Sequence, residues 1–595
     1  MGKSIVDIQH MGDALRNTGY KNIESAVSEI VDNSIEANAK NVFIILSEHI
    51  NPQSGRKVVN EVGFLDNGDG MNIDSLGSCL GIGATTRYAR KGMGRFGVGL
   101  PQASLYACPE VIVYSWQNGI ENAHKVYLDI EKVKQGIQTE IENPVKEALP
   151  KKYQHYIKYK TLNENYDFSQ SGTLVIWKNC DRIVPKTRGP LSSRLEFSLG
   201  QKFRYFIHNG MSQIQIICDE NQDVAINIAP NDPLFLMDDN LVLCKADEPT
   251  KIYKAGEKEN LEPVFEVYTA NGTGTGEVEI PIKYIDKSGN IAESSVMARF
   301  SIVKDCFYDA TAFPTTAPGK YPFGQYAKKM EGISIVRANR EIDFRQFDFY
   351  STLNEPQHRW WGCEIIFDPE LDEAFGVANN KQYVELKKIE EEDIDWEEEV
   401  QPLWIQLEEV ISNTIKRMYA KNEETRKNTR TIEDTKTPAT NIINVVDAQD
   451  DEDDEDTVNP MENVTPEEVI ERGKEELENL GFDNPTDEQA TQFFDNSVVF
   501  DYKDEGERSP AFDYKFVLKT TIITINTSHE FYKSFLSKVY TNSDAQTTFE
   551  LFLASLIQSI KKSNTYQKVQ NDKLVTMWFN KLNNYIYEQL NPTNV

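Results

Sequence analysis

Seven cysteines are scattered through 595 residues with no Cys-x-x-Cys pair, which leaves no disulfide framework and no zinc-binding set. The seven histidines show no ligand spacing either. No run of about 18 apolar residues is available to span a bilayer. The opening MGKSIVDIQH lacks the apolar core of a signal peptide. These absences lead us to expect a reducing, cytoplasmic setting with no membrane partner. Positive charge is also short. With 63 basic against 94 acidic residues the net charge is −31, which disfavours indiscriminate attraction to nucleic acid.

The sequence does hold enough apolar residue for sizeable cores, 39% of the chain. Its length suits about three or four domains. The acidic excess is uneven, with Asp450–Asp456 an unbroken acidic run and Glu390–Glu399 nearly as dense. Lys151, Lys152, Lys158 and Lys160 surround Tyr153, Tyr156 and Tyr159. Such a basic, tyrosine-rich stretch either holds a phosphate backbone or forms a solvated surface.

Ser28–Ala39, SEIVDNSIEANA, organises the first third of the chain. Ile23, Ala26, Val27, Ile30 and Val31 form a stripe at helical spacing. Glu29 and Asn33, four apart, then share one helical face. A carboxylate there can deprotonate water, and a carboxamide oxygen can bind a hard cation. A merely exposed polar face has the same spacing. Val42–Leu46 reads as a buried strand, and VGFLDNGDGM (Val62–Met71) as a strand ending at Asp66 before Gly68 and Gly70. KGMGRFGVGLPQAS follows, with Gly92, Gly94, Gly97 and Gly99 ahead of a helix beginning near Leu100. Glycine-rich backbone with a helix start makes an anion cradle without a Walker lysine. Gly172-Thr173 opens a last strand, TLVIW.

This ordered set resembles the ATP-binding domain of the GHKL superfamily, which groups gyrase B, heat-shock chaperone ATPases, histidine kinases and MutL. The resemblance implies ATP and Mg²⁺ as ligands, with Glu29 as general base and Asn33 on the metal. It implies Asp66 as acceptor for the adenine amino group, with Gly68, Gly70, Met71 and Thr173 around the base. Gly92, Gly94, Arg95, Phe96, Gly97, Val98 and Gly99 would surround the phosphates, and Asp32 would help position the attacking water. Gly332–Phe344 and Trp360–Gln382 resemble the transducer of MORC-type and MutL-type ATPases, which makes Lys381 the switch lysine on the γ-phosphate. Arg337 and Arg340 stand between a functional and a structural role. Pro101-Gln102 departs from the Lys-Ser of MORC sequences, and neither a CW-type cysteine set nor a nuclease motif is present.

The expected fold is α+β: a GHKL (Bergerat) α/β sandwich over 1–190, then a transducer of ribosomal-protein-S5-like type over 191–428. An acidic disordered linker over 429–465 and a C-terminal α+β domain over 466–595 complete the chain. The helix through Phe549–Ile560 would serve as a dimer surface or as core. The implied function is an ATP-driven clamp of the MORC or MutL type. It would dimerise on ATP and act on DNA in prokaryotic genome maintenance or anti-phage defence, with a nuclease or other protein partner. A chaperone-like remodeller of proteins and a nucleotide-gated scaffold are the alternatives.

Overall fold

The computed structural model describes residues 16, 20–81, 99–161, 164–218, 221–269, 276–308, 318–350, 356–377, 383–389, 392, 394–428, 432–453, 464–482, 485–507, 509–540, 543–561 and scattered positions from 571 to 585. Gly92, Gly94, Arg95, Phe96, Gly97, Val98 and Lys381 lie outside the described residues. Contacts divide the chain into two compact units. One comprises Met1–Lys304, Lys329–Tyr350 and Arg359–Met418; the other comprises Asp305–Lys328, Ser351–His358 and Tyr419–Val595.

In the first unit, the apolar stripe forms helix α1, Ile23–Glu36, and all five of its residues are buried. Asn22 caps it, its side-chain oxygen accepting from Ser25 N at 2.9 Å. The strands are β1 Asn41–Ile50, β2 Lys57–Asp66, β3 Glu110–Trp116, β4 His124–Asp129, β5 Val145–Lys146, β6 Gly172–Lys178, β7 Gln213–Cys218 and β8 Asn221–Asn227. They form one sheet in the order β8-β7-β1-β2-β6-β3-β4-β5.

Side-chain alternation splits this sheet between two cores. Val42, Ile44, Phe64, Val113 and Trp177 face α1, α2 (Gly99–Ala107) and α3 (Arg188–Lys202). Phe43, Ile45, Leu65, Tyr114 and Ile176 face the opposite core, which holds Tyr153, Tyr156, Tyr159 and Phe168. The three tyrosines are therefore interior groups and offer no stacking platform. Lys152 is paired as well, 2.7 Å from Glu61 Oε1 and 3.0 Å from Ser47 Oγ.

The sandwich does not end at 190. Leu191, Leu195, Leu199 and Phe203 pack into the helix-side core, and β7 runs parallel to β1 from Asn41↔Gln213 to Leu46↔Cys218. Ile228 still belongs to that core. A parallel partner arriving from far along the chain leaves no local mark of a boundary.

The second sheet of this unit contains β9 Phe265–Val267, β10 Glu277–Ile285, β11 Ile291–Val303, β12 Ile333–Arg337, β13 Arg340–Arg345 and β14 Trp361–Phe367. Its order is β9-β11-β14-β12-β13, with β10 paired to β11. The transducer-like stretch 332–344 is thus a hairpin, turned at Ala338 (φ 49°) and Asn339 (φ 64°). Helix α5, Leu403–Asn428, lays Trp404, Leu407, Ile411, Ile415 and Met418 into this core. Residues 394–402, turns and irregular backbone, precede the helix.

In the second unit, α6 (Pro438–Asp453) occupies much of the stretch expected to be a disordered linker. Thr437 Oγ1 accepts from Thr440 N at 3.2 Å, Pro438 fills the first turn, and Ala439 and Ile443 enter the core. Burial there outweighs the acidic composition. Helices α7 (Pro466–Asn479) and α8 (Asp487–Phe493) both start with capping boxes, Thr465/Glu468 and Thr486/Gln489. The alternating run Phe512–Asn526 is a hairpin. It comprises β16 (Phe512–Val517) and β17 (Thr520–Asn526), with β15 (Val498–Lys503) parallel to β17. Helix α9, Ser543–Lys561, buries Leu553, Ala554, Ile557 and Ile560 in that core. Among the described residues no helix is long and apolar enough to cross a membrane.

Candidate functional site

Asp66 is the last residue of β2 and is only 5% exposed. A carboxylate so placed needs donors. Gly68 N donates to Oδ1 at 2.9 Å and the Ser34 hydroxyl to Oδ2 at 3.0 Å. Across the β2–β6 ladder Asp66 pairs with Thr173. Burial pushes the Asp66 carboxyl up to about 6, against the opposing pull of Gly68, Ser34 and Thr173. Each oxygen, with one donor bound, retains capacity for another.

The surrounding wall requires glycine at two places. Gly70 has φ +67°, and a Cβ on it would stand 2.1 Å from Trp116 O. A Cβ on Gly68 would stand 2.7 Å from Ala37 O. Met71 N donates to Ser115 Oγ at 2.8 Å, and Ser115 Oγ lies 3.0 Å from Thr173 Oγ1. Asp66, Gly68, Gly70, Met71 and Thr173, expected around the adenine, therefore meet at one end of the neighbouring central strands β2 and β6.

Glu29 and Asn33 lie one turn apart on α1, the first 8% exposed and the second exposed. The Tyr20 hydroxyl bonds to Glu29. Burial, with Glu29 and Asp32 close by, pushes that phenol far above its ordinary range, so it is the donor. Gly99, at the head of α2, abuts the carboxylate: a Cβ there would fall 1.8 Å from Glu29 Oε1. The end of the glycine-rich stretch thus meets the proposed base.

Asp32, a turn beyond Glu29, is fully buried and accepts from Arg340 Nε at 2.7 Å. Its Oδ2 has no hydrogen-bond partner among the described residues. Lys202 of α3 donates to Ser28 Oγ at 3.1 Å. Burial lowers the Lys202 ammonium to about 8, with Arg340 pressing the same way and Asp32, Glu341 and Glu24 opposing. Arg337 instead makes a bidentate pair with Asp372, at 2.5 and 2.8 Å.

Sequence reasoning missed Ser34, Ser115, Tyr20 and Lys202. Ser34 lay inside the organising stretch, where Ile30 and Ser34 at i and i+4 place it beside the buried stripe. The others come from distant segments with no motif of their own. A cleft of about 540 Å³ lined by Asn118, Glu121, His155, Lys158 and Gln170 contains none of the residues expected at the nucleotide site.

Residues 20–161 match the family model described as histidine kinase-, DNA gyrase B-, and HSP90-like ATPase. Protein MICRORCHIDIA 6 of Arabidopsis thaliana is 27% identical over 115 residues, 19% of this chain and 17% of that protein. The match therefore spans less than a fifth of that relative's length. A solved structure described as the N-terminal domain of a DNA repair protein covers 70% of this chain and 99% of its own. Its identity is 13% and its TM-score 0.39, too low to establish a shared fold. The matched segment contains α1, the Asp66 turn and α2, so the likeness to the histidine kinase-, DNA gyrase B-, and HSP90-like ATPase model falls on elements that build this site.

Proposed function

We propose that the chain hydrolyses ATP to ADP and phosphate and uses the cycle to open and close a dimeric clamp on DNA. The observation that carries the nucleotide reading is Asp66, a buried acceptor at a glycine-only wall that suits the amino group of adenine. Glu29 takes the proton of the water that attacks the γ-phosphorus, as the bond from that phosphorus to the bridging oxygen breaks and ADP leaves. Glu29 is held for this by Tyr20 and by the close approach of Gly99. Asn33, an exposed hard-oxygen donor a turn away, suits Mg²⁺, which when bound would neutralise phosphate charge. Gly92, Gly94, Arg95, Phe96, Gly97 and Val98 would bind the phosphates, and Lys381 would supply a point charge at the γ-phosphate.

The DNA part of the reading rests on the resemblance of residues 332–382 to the transducers of MORC-type and MutL-type clamps. The net charge of −31 favours a second reading, a chaperone-like ATPase acting on proteins. Hydrolysis by wild type and Glu29→Ala, each with and without duplex DNA, separates them. We expect Glu29→Ala to lose at least about 100-fold in kcat while still binding nucleotide. DNA should raise the wild-type rate, and salt should abolish that rise. Full activity in Glu29→Ala would remove the base assignment. An ATPase indifferent to DNA, dimerising on a non-hydrolysable analogue, would move the clamp to a protein client.

A further inference from the structure

Two carboxylates a turn apart on α1 have different surroundings. Glu29 faces Gly99, whereas Asp32 is buried at 0% exposure against a cation from the second sheet. That cation, Arg340, is itself only 4% exposed. It opens β13 immediately after a two-residue turn in which Ala338 and Asn339 both adopt left-handed backbone. Such a turn fixes where the next residue emerges. The neighbouring Glu341 is bound as well, receiving Arg204 Nη1 at 2.9 Å and the Ser334 hydroxyl at 2.7 Å. Arg204, on α4 (Arg204–His208), is fully buried and also pairs with Glu364. One end of the hairpin therefore grips α1 through Arg340 and α4 through Glu341. The buried, charge-assisted Arg340–Asp32 bond, made from a hairpin end itself anchored to α4, opposes rotation of α1.

We propose that Arg340 is a positioning residue for ATP hydrolysis: through Asp32 it fixes the rotation and height of α1, and so the place of Glu29. This rests on the ATPase reading and deepens it, because the second sheet then sets the rate of the chemical step without touching nucleotide. An error of about 1 Å in a catalytic group costs roughly 100-fold in rate. Loss of the grip on α1 should accordingly appear chiefly in kcat, because Asp66, Gly68 and Thr173 are held by the sheet and its turn, and of Asp66's donors only Ser34 rides on α1.

The test is steady-state hydrolysis and equilibrium nucleotide binding for Arg340→Ala, Arg340→Lys, Asp32→Asn and the Asp32→Asn/Arg340→Ala pair. We expect Arg340→Ala to lower kcat about 10- to 100-fold with nucleotide affinity within twofold, and Arg340→Lys to recover part of the loss. The double variant should be no worse than the poorer single one, since both break the same link. Losses that multiply in the double variant would mean that Arg340 acts other than through Asp32 and would overturn the role. So would wild-type kcat in Arg340→Ala. Arg337→Gln is the control, because Arg337 shares the hairpin and is buried but pairs with Asp372. An equal fall in kcat there would reduce Arg340 to general support of the hairpin. Should Arg340→Ala fail to fold, Arg340→Lys and Asp32→Asn carry the same comparison. Absence of turnover in the wild type would overturn this role together with the ATPase reading, whereas turnover that survives in Arg340→Ala overturns this role alone.

Discussion

At the scale of single residues, Asp66 combines a structural penalty with the binding role proposed for it. Its carboxyl titrates at about 6 rather than near 3.8, because burial disfavours the charge. A carboxyl raised by folding binds its proton more tightly in the folded state, so its ionisation works against stability. The penalty is absent below the unfolded value, grows as pH rises from about 4 to about 6, and is constant above that, at roughly 3 kcal/mol. Ligand-free protein should therefore lose stability across that window, and Asp66→Asn should flatten the profile in denaturant titrations at several pH values. Nucleotide affinity should run the opposite way. The adenine amino group is a donor and favours the carboxylate, so the wild type should bind ATP more tightly at pH 7 than at pH 5. An affinity independent of pH would show that Asp66 does not face the base. Asp66 was legible because Asp-x-Gly-x-Gly after an apolar run is a local pattern. Ser34 and Thr173, which complete its hydrogen bonding, are brought to it by the ladder and the helix.

At the scale of elements, periodicity was a sound guide wherever one face of an element meets one core. Helix α1 follows its stripe, and α9 follows Leu553, Ile557 and Ile560. A turn can also hide inside an alternating run. Leu518, at φ 51°, folds Phe512–Asn526 back on itself in a conformation that leucine rarely adopts and nothing in its neighbours announces. Composition misled for α6, since an acidic, Asn-rich stretch conceals the Thr437-Pro438 start and two core residues. Close helix contact is also set at one position: a Cβ on Gly473 of α7 would fall 2.4 Å from Ala490 O of α8. The obstacle is backbone, so Gly473→Ala must separate the two helices. It should destabilise the second unit by about 1–3 kcal/mol, read as a lowered transition in calorimetry. A transition unmoved by the change would show that the pair has slack.

At the scale of the whole molecule, the first sheet draws on strands well beyond residue 190, the boundary expected from the sequence. Pairing between β1 and β7 cannot be seen from either strand alone. The domain therefore includes Gln213–Cys218 and closes near Ile228. A fragment of residues 1–190 should be insoluble or molten, whereas 1–228 should give a cooperative unfolding transition. Equal solubility and cooperativity of the two would place the boundary where composition first put it. There is a consequence for biosynthesis. During synthesis β1, with its NVFIIL run, pairs early with β2 but keeps its other edge open until β7 leaves the ribosome. An apolar strand edge waiting for a late partner invites pairing between nascent chains. For this protein the vulnerable interval of folding is the synthesis of residues 67–212, and slow translation there would lengthen it.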